Sequence, residues 1–96
     1  MDMNSYSSYA PSKPEIISTK SSTAIDMIAY DDSRHALYVE WVNGNVYRYD
    51  GVLPSVVADA CSADSLGEFV NSHVKFNYPC EFVCMNGSPT YGRLFA

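Results

Sequence analysis

The 96-residue sequence has no apolar run approaching the length that spans a bilayer. Its first residues, Met1-Asp2-Met3-Asn4-Ser5-Tyr6, lack the basic-then-apolar order of a secretory signal. Cysteine is scarce, and three is an odd number that makes no disulfide framework. A reducing, cytoplasmic setting is therefore expected. Basic residues are few as well: six Lys and Arg oppose eleven Asp and Glu, for a net charge of −5. From Ser22 to Phe82 only Arg34, Arg48 and Lys75 face Asp26, Asp31, Asp32, Glu40, Asp50, Asp59, Asp64, Glu68 and Glu81. Affinity for a long phosphate backbone comes from Lys and Arg displacing counterions, so duplex DNA and long RNA are poor partners. A single nucleotide, a short RNA segment, a basic protein surface or a second copy of the chain fits that balance. There is no phosphate-cradling glycine loop. Nor is a nucleophile paired with an evident base and oxyanion site, so no enzyme is expected.

What is present is a small, aromatic-rich chain of one domain, 47% apolar and 14% aromatic. Its strongest local signal is Leu37-Tyr38-Val39-Glu40-Trp41-Val42-Asn43-Gly44-Asn45-Val46-Tyr47-Arg48-Tyr49. Two strand-like runs flank Asn-Gly, residues that tolerate the positive φ of tight hairpins. A two-residue turn would pair Trp41 with Val46 and turn Tyr47 and Tyr49 outward. A three-residue loop, Val42-Asn43-Gly44 with Gly44 in the left-handed position, pairs Val39 with Tyr47 and Leu37 with Tyr49. One residue of slip flips every side chain, and burial favours the three-residue loop. It leaves Tyr38, Glu40 and Arg48 on the other face.

Around the hairpin, Ala24 to Tyr30 reads as a first strand, and the polar turn at 31–35 makes an antiparallel meander. Pro54 suits a first helical turn. Leu53, Val57, Ala60 and Cys61 then share one helical face. Ser65-Leu66-Gly67-Glu68 matches a capping box ahead of Leu66, Phe69, Val70, His73 and Val74. The expectation is two short helices, over 54–62 and 66–76, packed on one face of a three- to four-stranded sheet in an α+β fold. Cys80 to Met85 reads as the fourth strand. Trp41, Val39, Leu37, Leu66, Phe69, Val70 and Val74 are the expected core. Residues 1–21 read as a Ser/Tyr-rich arm, loose or docked through Tyr6, Tyr9 and Ile16-Ile17. Residues 83–96 read as an apolar tail in need of cover.

From Ser22 to about Phe82 the chain resembles the KTSC domain, named for its occurrence at the C-terminus of some lysyl-tRNA synthetases. The resemblance rests on Ser22, Ile28, Tyr30-Asp31, Leu37-Tyr38-Val39-Glu40-Trp41, Gly44, Val46-Tyr47-Arg48-Tyr49, Val52 and Pro54. Ala63, Ser65, Gly67, Phe69-Val70-Asn71, Val74 and Tyr78 complete it. Tyr47-x-Tyr49 and Ser65-x-Gly67 are its two signatures, and Leu53 stands where the family usually has Val. The resemblance implies no established activity. RNA binding is a suggestion for the family.

The candidate chemistry follows. Cys80-x3-Cys84 with Cys61 and His73 lacks the second close pair of a structural zinc site, and both Cys61 and His73 fall on apolar helix faces; no metal or other cofactor is expected. Bases stack on aromatic rings, and Arg48 between two tyrosines offers a phosphate contact. The candidate ligand-binding set is Tyr47, Arg48, Tyr49 and Tyr38 on the sheet, with Ser65 and Asn71 beside it. The competing reading makes Tyr47 and Tyr49 core residues, which the preferred register favours. The leading function is thus a non-enzymatic module binding a nucleotide or short single-stranded RNA. The alternative is a small bacterial or phage-type inhibitor or adaptor that docks on a protein by its acidic surface and Tyr-rich arm. Surplus apolar residues at both ends predict self-association, most simply as a two-fold dimer.

Overall fold

The computed structural model describes residues 13–18 and 24–95. Five strands form one antiparallel sheet in chain order: β1 (Glu15–Ser18), β2 (Ile25–Asp31), β3 (Ala36–Trp41), β4 (Asn45–Asp50) and β5 (Cys80–Met85). Helix α1 (Pro54–Ser62) and helix α2 lie between β4 and β5. α2 is α-helical over Leu66–Phe69 and π-helical over Val70–Val74. Helix α3 (Pro89–Phe95) follows β5. The class is α+β, but the sheet has five strands, not three or four. The additional strand is β1, formed by Glu-Ile-Ile-Ser from the stretch read as an arm. Tyr6 and Tyr9, the other anchors named for that arm, lie outside the described residues.

The β3–β4 hairpin takes the three-residue loop. Leu37 faces Tyr49, Val39 faces Tyr47 and Glu40 faces Val46. Gly44 sits at φ +91°, and its N–H donates to the Trp41 carbonyl at 2.8 Å. Side chains alternate across a sheet, so this register sorts residues between two faces. Ile25, Ile28, Tyr30, Leu37, Val39 and Tyr49 form one buried cluster with Val52, Val57, Val70 and Val74 of the helical side. Met27, Ala29, Ala36, Tyr38, Val46 and Cys84 form a second on the opposite face, with Tyr91, Leu94 and Phe95 of α3 packed against it. The sheet is therefore covered on both sides, and the tail supplies the cover for the second. A bulge in β5 between Phe82 and Cys84 makes the faces change along that strand.

Six expectations about burial are corrected. Leu53 and Cys61 are exposed, and within α1 only Val57 and Ala60 are buried. His73 is exposed and stacks on Phe69, with ring centroids 4.5 Å apart. Trp41, Leu66 and Phe69 flank the first core as partly buried residues. The short helices rest on the sheet by a narrow stripe, so residues one step off that stripe meet water.

Candidate functional site

The β3–β4 hairpin and the end of α2 enclose an open groove of about 670 Å³. Trp41 ends β3, Tyr47 lies across the hairpin in β4, and Val42 and Asn43 come from the loop between them. Lys75 and Phe76 follow α2, and Cys80 opens β5. The π turn brings the helix side in. The Lys75 N–H donates to the Val70 carbonyl at 2.8 Å, an i→i+5 bond. It widens the last turn, a distortion found often at functional sites. Lys75 Nζ then lies 5.5 Å from the centroid of the Trp41 ring and 5.5 Å from that of Phe76, within cation–π reach of both.

The rings are held from behind. Tyr49 is 2% exposed, and burial raises its phenol above the usual range, opposed by a side-chain hydrogen bond with Trp41. Tyr47 packs edge-on against Phe82, with centroids 5.6 Å apart. At the mouth, Asn43 Oδ1 accepts the Asn45 N–H at 2.9 Å. Phe76 is 84% exposed, far more than an aromatic ring with only a packing role requires.

The candidate residues named from sequence do not gather here as a set. Tyr47 and Tyr49 line the groove. Arg48 projects to the opposite face, where Nε donates to Asp50 at 2.8 Å and Nη2 to Glu81 at 2.6 Å. The hydrogen bond to Asp50, more than any other cause, holds the guanidinium pKa above its ordinary value. Tyr38 is buried on that same opposite face, its ring 5.8 Å from Phe95 in an edge contact, with burial raising its phenol. Ser65 caps α2, its hydroxyl accepting the Glu68 N–H at 3.2 Å. Asn71 is exposed on α2. A parity of two along β4 places Arg48 away from its tyrosine neighbours.

Sequence reasoning missed Trp41 as a groove wall and missed Lys75 and Phe76 altogether. Trp41 reads as core because it continues the Leu37-Val39 alternation. Lys75-Phe76 carried one signal, a cation beside a ring just past a helical pattern. The cysteines diverge: Cys80 is exposed at the groove, whereas the β5 bulge turns Cys84 into the second core. The residues around the groove offer stacking surface, amide donors and one cation. Among the described residues, Lys75 makes no ion pair.

Comparison with known proteins fits this architecture. A 54-residue stretch is 39% identical to an uncharacterized protein of Stutzerimonas stutzeri (strain A1501), covering 56% of this chain and 76% of that one. A protein of Tsukamurella paurometabola is also 39% identical over 54 residues, with 56% of this chain and 81% of its own length covered. The crystal structure of a KTSC domain protein from Yersinia pestis superposes with a TM-score of 0.66 at 25% identity, covering 75% of this chain and 97% of that chain. The family model for the KTSC domain matches residues 21–78, from just before β2 to the end of the turn after α2. That span is more than half of the sequence and carries the hairpin, both helices of the first face and most of the groove, so the chain belongs to the KTSC domain family.

Proposed function

We propose that the chain is a non-enzymatic binding module that takes the base of a nucleotide, free or within a short single-stranded RNA, into the groove at Trp41. The observation that carries this reading is the convergence of Trp41, Tyr47 and Phe76 with the Lys75 ammonium. Rings stack on any base, and the ammonium suits the attached phosphate. Arg48 has no part in it, because Asp50 and Glu81 engage it on the far face. A duplex hides its base faces and needs many cations, so it is excluded from the partner class.

Trp41 is the single tryptophan and reports directly on the groove. Its fluorescence should change saturably on titration with adenosine or uridine monophosphate or a hexaribonucleotide, and not with duplex RNA. Phe76→Ala should weaken binding about fivefold or more, the lower end of one base–aromatic stack. One phosphate contact gives a shallow salt response, about fivefold weaker for each tenfold rise in salt. No saturable change up to millimolar ligand would remove the reading.

The exposed Phe76, Phe82 and Met85 support a second reading, in which a protein surface docks at this end of the sheet. Native mass spectrometry of the protein purified from its host separates the two. A retained small ligand supports the first, and a retained protein or second copy supports the second.

A further inference from the structure

We propose that the ring of Phe82 is a second base subsite beside the Trp41 groove, so that the ligand is a single-stranded RNA of at least two nucleotides, bound with its bases apart. The inference rests on the groove being a nucleotide site and names the class of nucleotide that fills it. Three observations carry it. First, the aromatic surface continues past the groove. Tyr47 stands directly opposite Phe82 in the β4–β5 register, and partners across a ladder share a face. The two rings meet edge-on, and Phe82 is still half exposed. Trp41, Tyr47 and Phe82 thus run as a diagonal across β3, β4 and β5, and β5 is the edge of the sheet.

Second, the spacing selects the ligand. Two strand spacings and two residues of strand separate the Trp41 and Phe82 backbones by about 12 Å. A duplex strand advances about 3.4 Å per nucleotide, so two bases that stay stacked on each other fall short of that span. Bases of a single strand splay apart and stack on separate aromatic side chains, the usual way proteins take single-stranded RNA. One nucleotide alone fills only one of the two ring stations.

Third, charge and edge geometry favour a nucleotide over a protein strand here. None of the residues that line the groove is acidic, in a chain with a net charge of −5, and Lys75 beside Trp41 supplies a cation for the linking phosphate. The acids of β4 and β5, Asp50 and Glu81, fall on the alternate parity and engage Arg48 on the far face. The bulge after Phe82 breaks the regular ladder of β5. Such a bulge blunts an edge against a partner strand and leaves the ring free for stacking.

The test reads the Trp41 fluorescence of the full-length chain titrated with the dinucleotide adenylyl-adenosine and with its two forms that each lack one adenine. All three carry the same single phosphate, so only the number of bases differs. The two-base ligand should bind about fivefold or more tighter than the better one-base form, the low end of one base–aromatic stack. In Phe82→Ala that ratio should collapse, leaving only the small statistical gain of offering two bases to one groove. In Phe82→Tyr, which keeps a ring, the ratio should hold. It is taken within each variant, so a partial loss of folded protein does not mimic the result. A native chain whose ratio is no more than the statistical gain overturns the inference and leaves the single-nucleotide groove standing. A full ratio that survives Phe82→Ala also overturns it, because the second base then stacks elsewhere. Silence toward all three ligands and toward adenosine monophosphate sinks the groove reading and this inference with it, and returns Phe82 to the protein-docking reading.

Discussion

Glu40 is 4% exposed, yet its carboxylate is matched atom for atom: Oε1 accepts the Tyr91 hydroxyl at 2.5 Å and Oε2 the Asn86 amide at 2.8 Å. Burial first, and then the hydrogen bond to Glu40, push the Tyr91 phenol up to about 12. The sign follows from proton counting. Below about pH 10 both folded and unfolded chains hold the proton, and the stabilisation is whole. Between about 10 and 12 the unfolded phenol has lost its proton while the folded one keeps it, so stability falls as pH rises through that window. Tyr91→Phe should be less stable than the native chain at about pH 9, and the gap should narrow by about pH 11.5, as read from urea midpoints. A gap that stays constant would show that Tyr91 does not couple to Glu40. Gly44 gives a second residue-scale outcome. A Cβ there would meet Asn86 Cβ at an ordinary 3.8 Å, so the cost of Gly44→Ala is conformational, from φ +91°. A loss of about 1–2 kcal/mol is expected. Residue identity told the chemistry of Gly44 plainly. It did not tell that Arg48 would be engaged by Glu81, 33 positions on, because that pair exists only once β5 adds to β4.

Elements were legible where one local rule decided them. Pro54 opens α1, which ends at Ser62, and Ser65 caps α2 as its spacing implies. Ser65→Ala should cost about 1 kcal/mol in chemical denaturation, through the lost acceptor for the Glu68 N–H. No loss would mean that water replaces the cap. The hairpin register was legible because only one parity buries Leu37, Val39, Tyr47 and Tyr49 together. The illegible elements depend on partners distant in sequence. β1 has four residues and no strong alternation, and it forms because β2 offers an edge. α3 is a helix of seven residues containing Gly92, too short to persist alone, and the second sheet face holds it. The π turn at Val70–Val74 has no sequence rule behind it, yet it sets Lys75 and Phe76 against Trp41. The groove thus stayed hidden in the sequence for a physical reason: its walls come from a hairpin and from a helix end whose winding no local pattern encodes. Phe69 shows the same limit. It lies partly buried against the first core, so Phe69→Ala should cost about 2 kcal/mol, below the 3–5 of a fully enclosed ring.

At the scale of the whole molecule, the sheet has two faces with separate covers, and the second cover is made by the last short helix. Tyr91, Leu94 and Phe95 pack on Met27, Ala29, Ala36, Tyr38, Val46 and Cys84. Those tail residues were part of the surplus that led to the expectation of self-association from sequence, and they are used within the chain. Among the described residues, the groove end gathers Val42, Phe76, Phe82 and Met85 as exposed apolar side chains and offers a surface to a second copy. A dimer of the native chain built on that surface should weaken in Phe76→Ala. Ending the chain at Gly87 should have a different effect. It withdraws three partly buried apolar side chains, about 3–5 kcal/mol of burial in a fold whose total stability is about 5–15 kcal/mol. It also strips Glu40 of the Tyr91 hydroxyl and opens the Tyr38 face to water. The truncated chain should melt well below the native one and, where it stays folded, associate through the bared face. Light scattering on both forms, with and without Phe76→Ala, separates the two surfaces. Association of the truncated chain that persists in Phe76→Ala belongs to the second face. Association that Phe76→Ala abolishes belongs to the groove end. A truncated chain that keeps native stability and stays monomeric would show that α3 is an ornament on the sheet and that the second core does not need it.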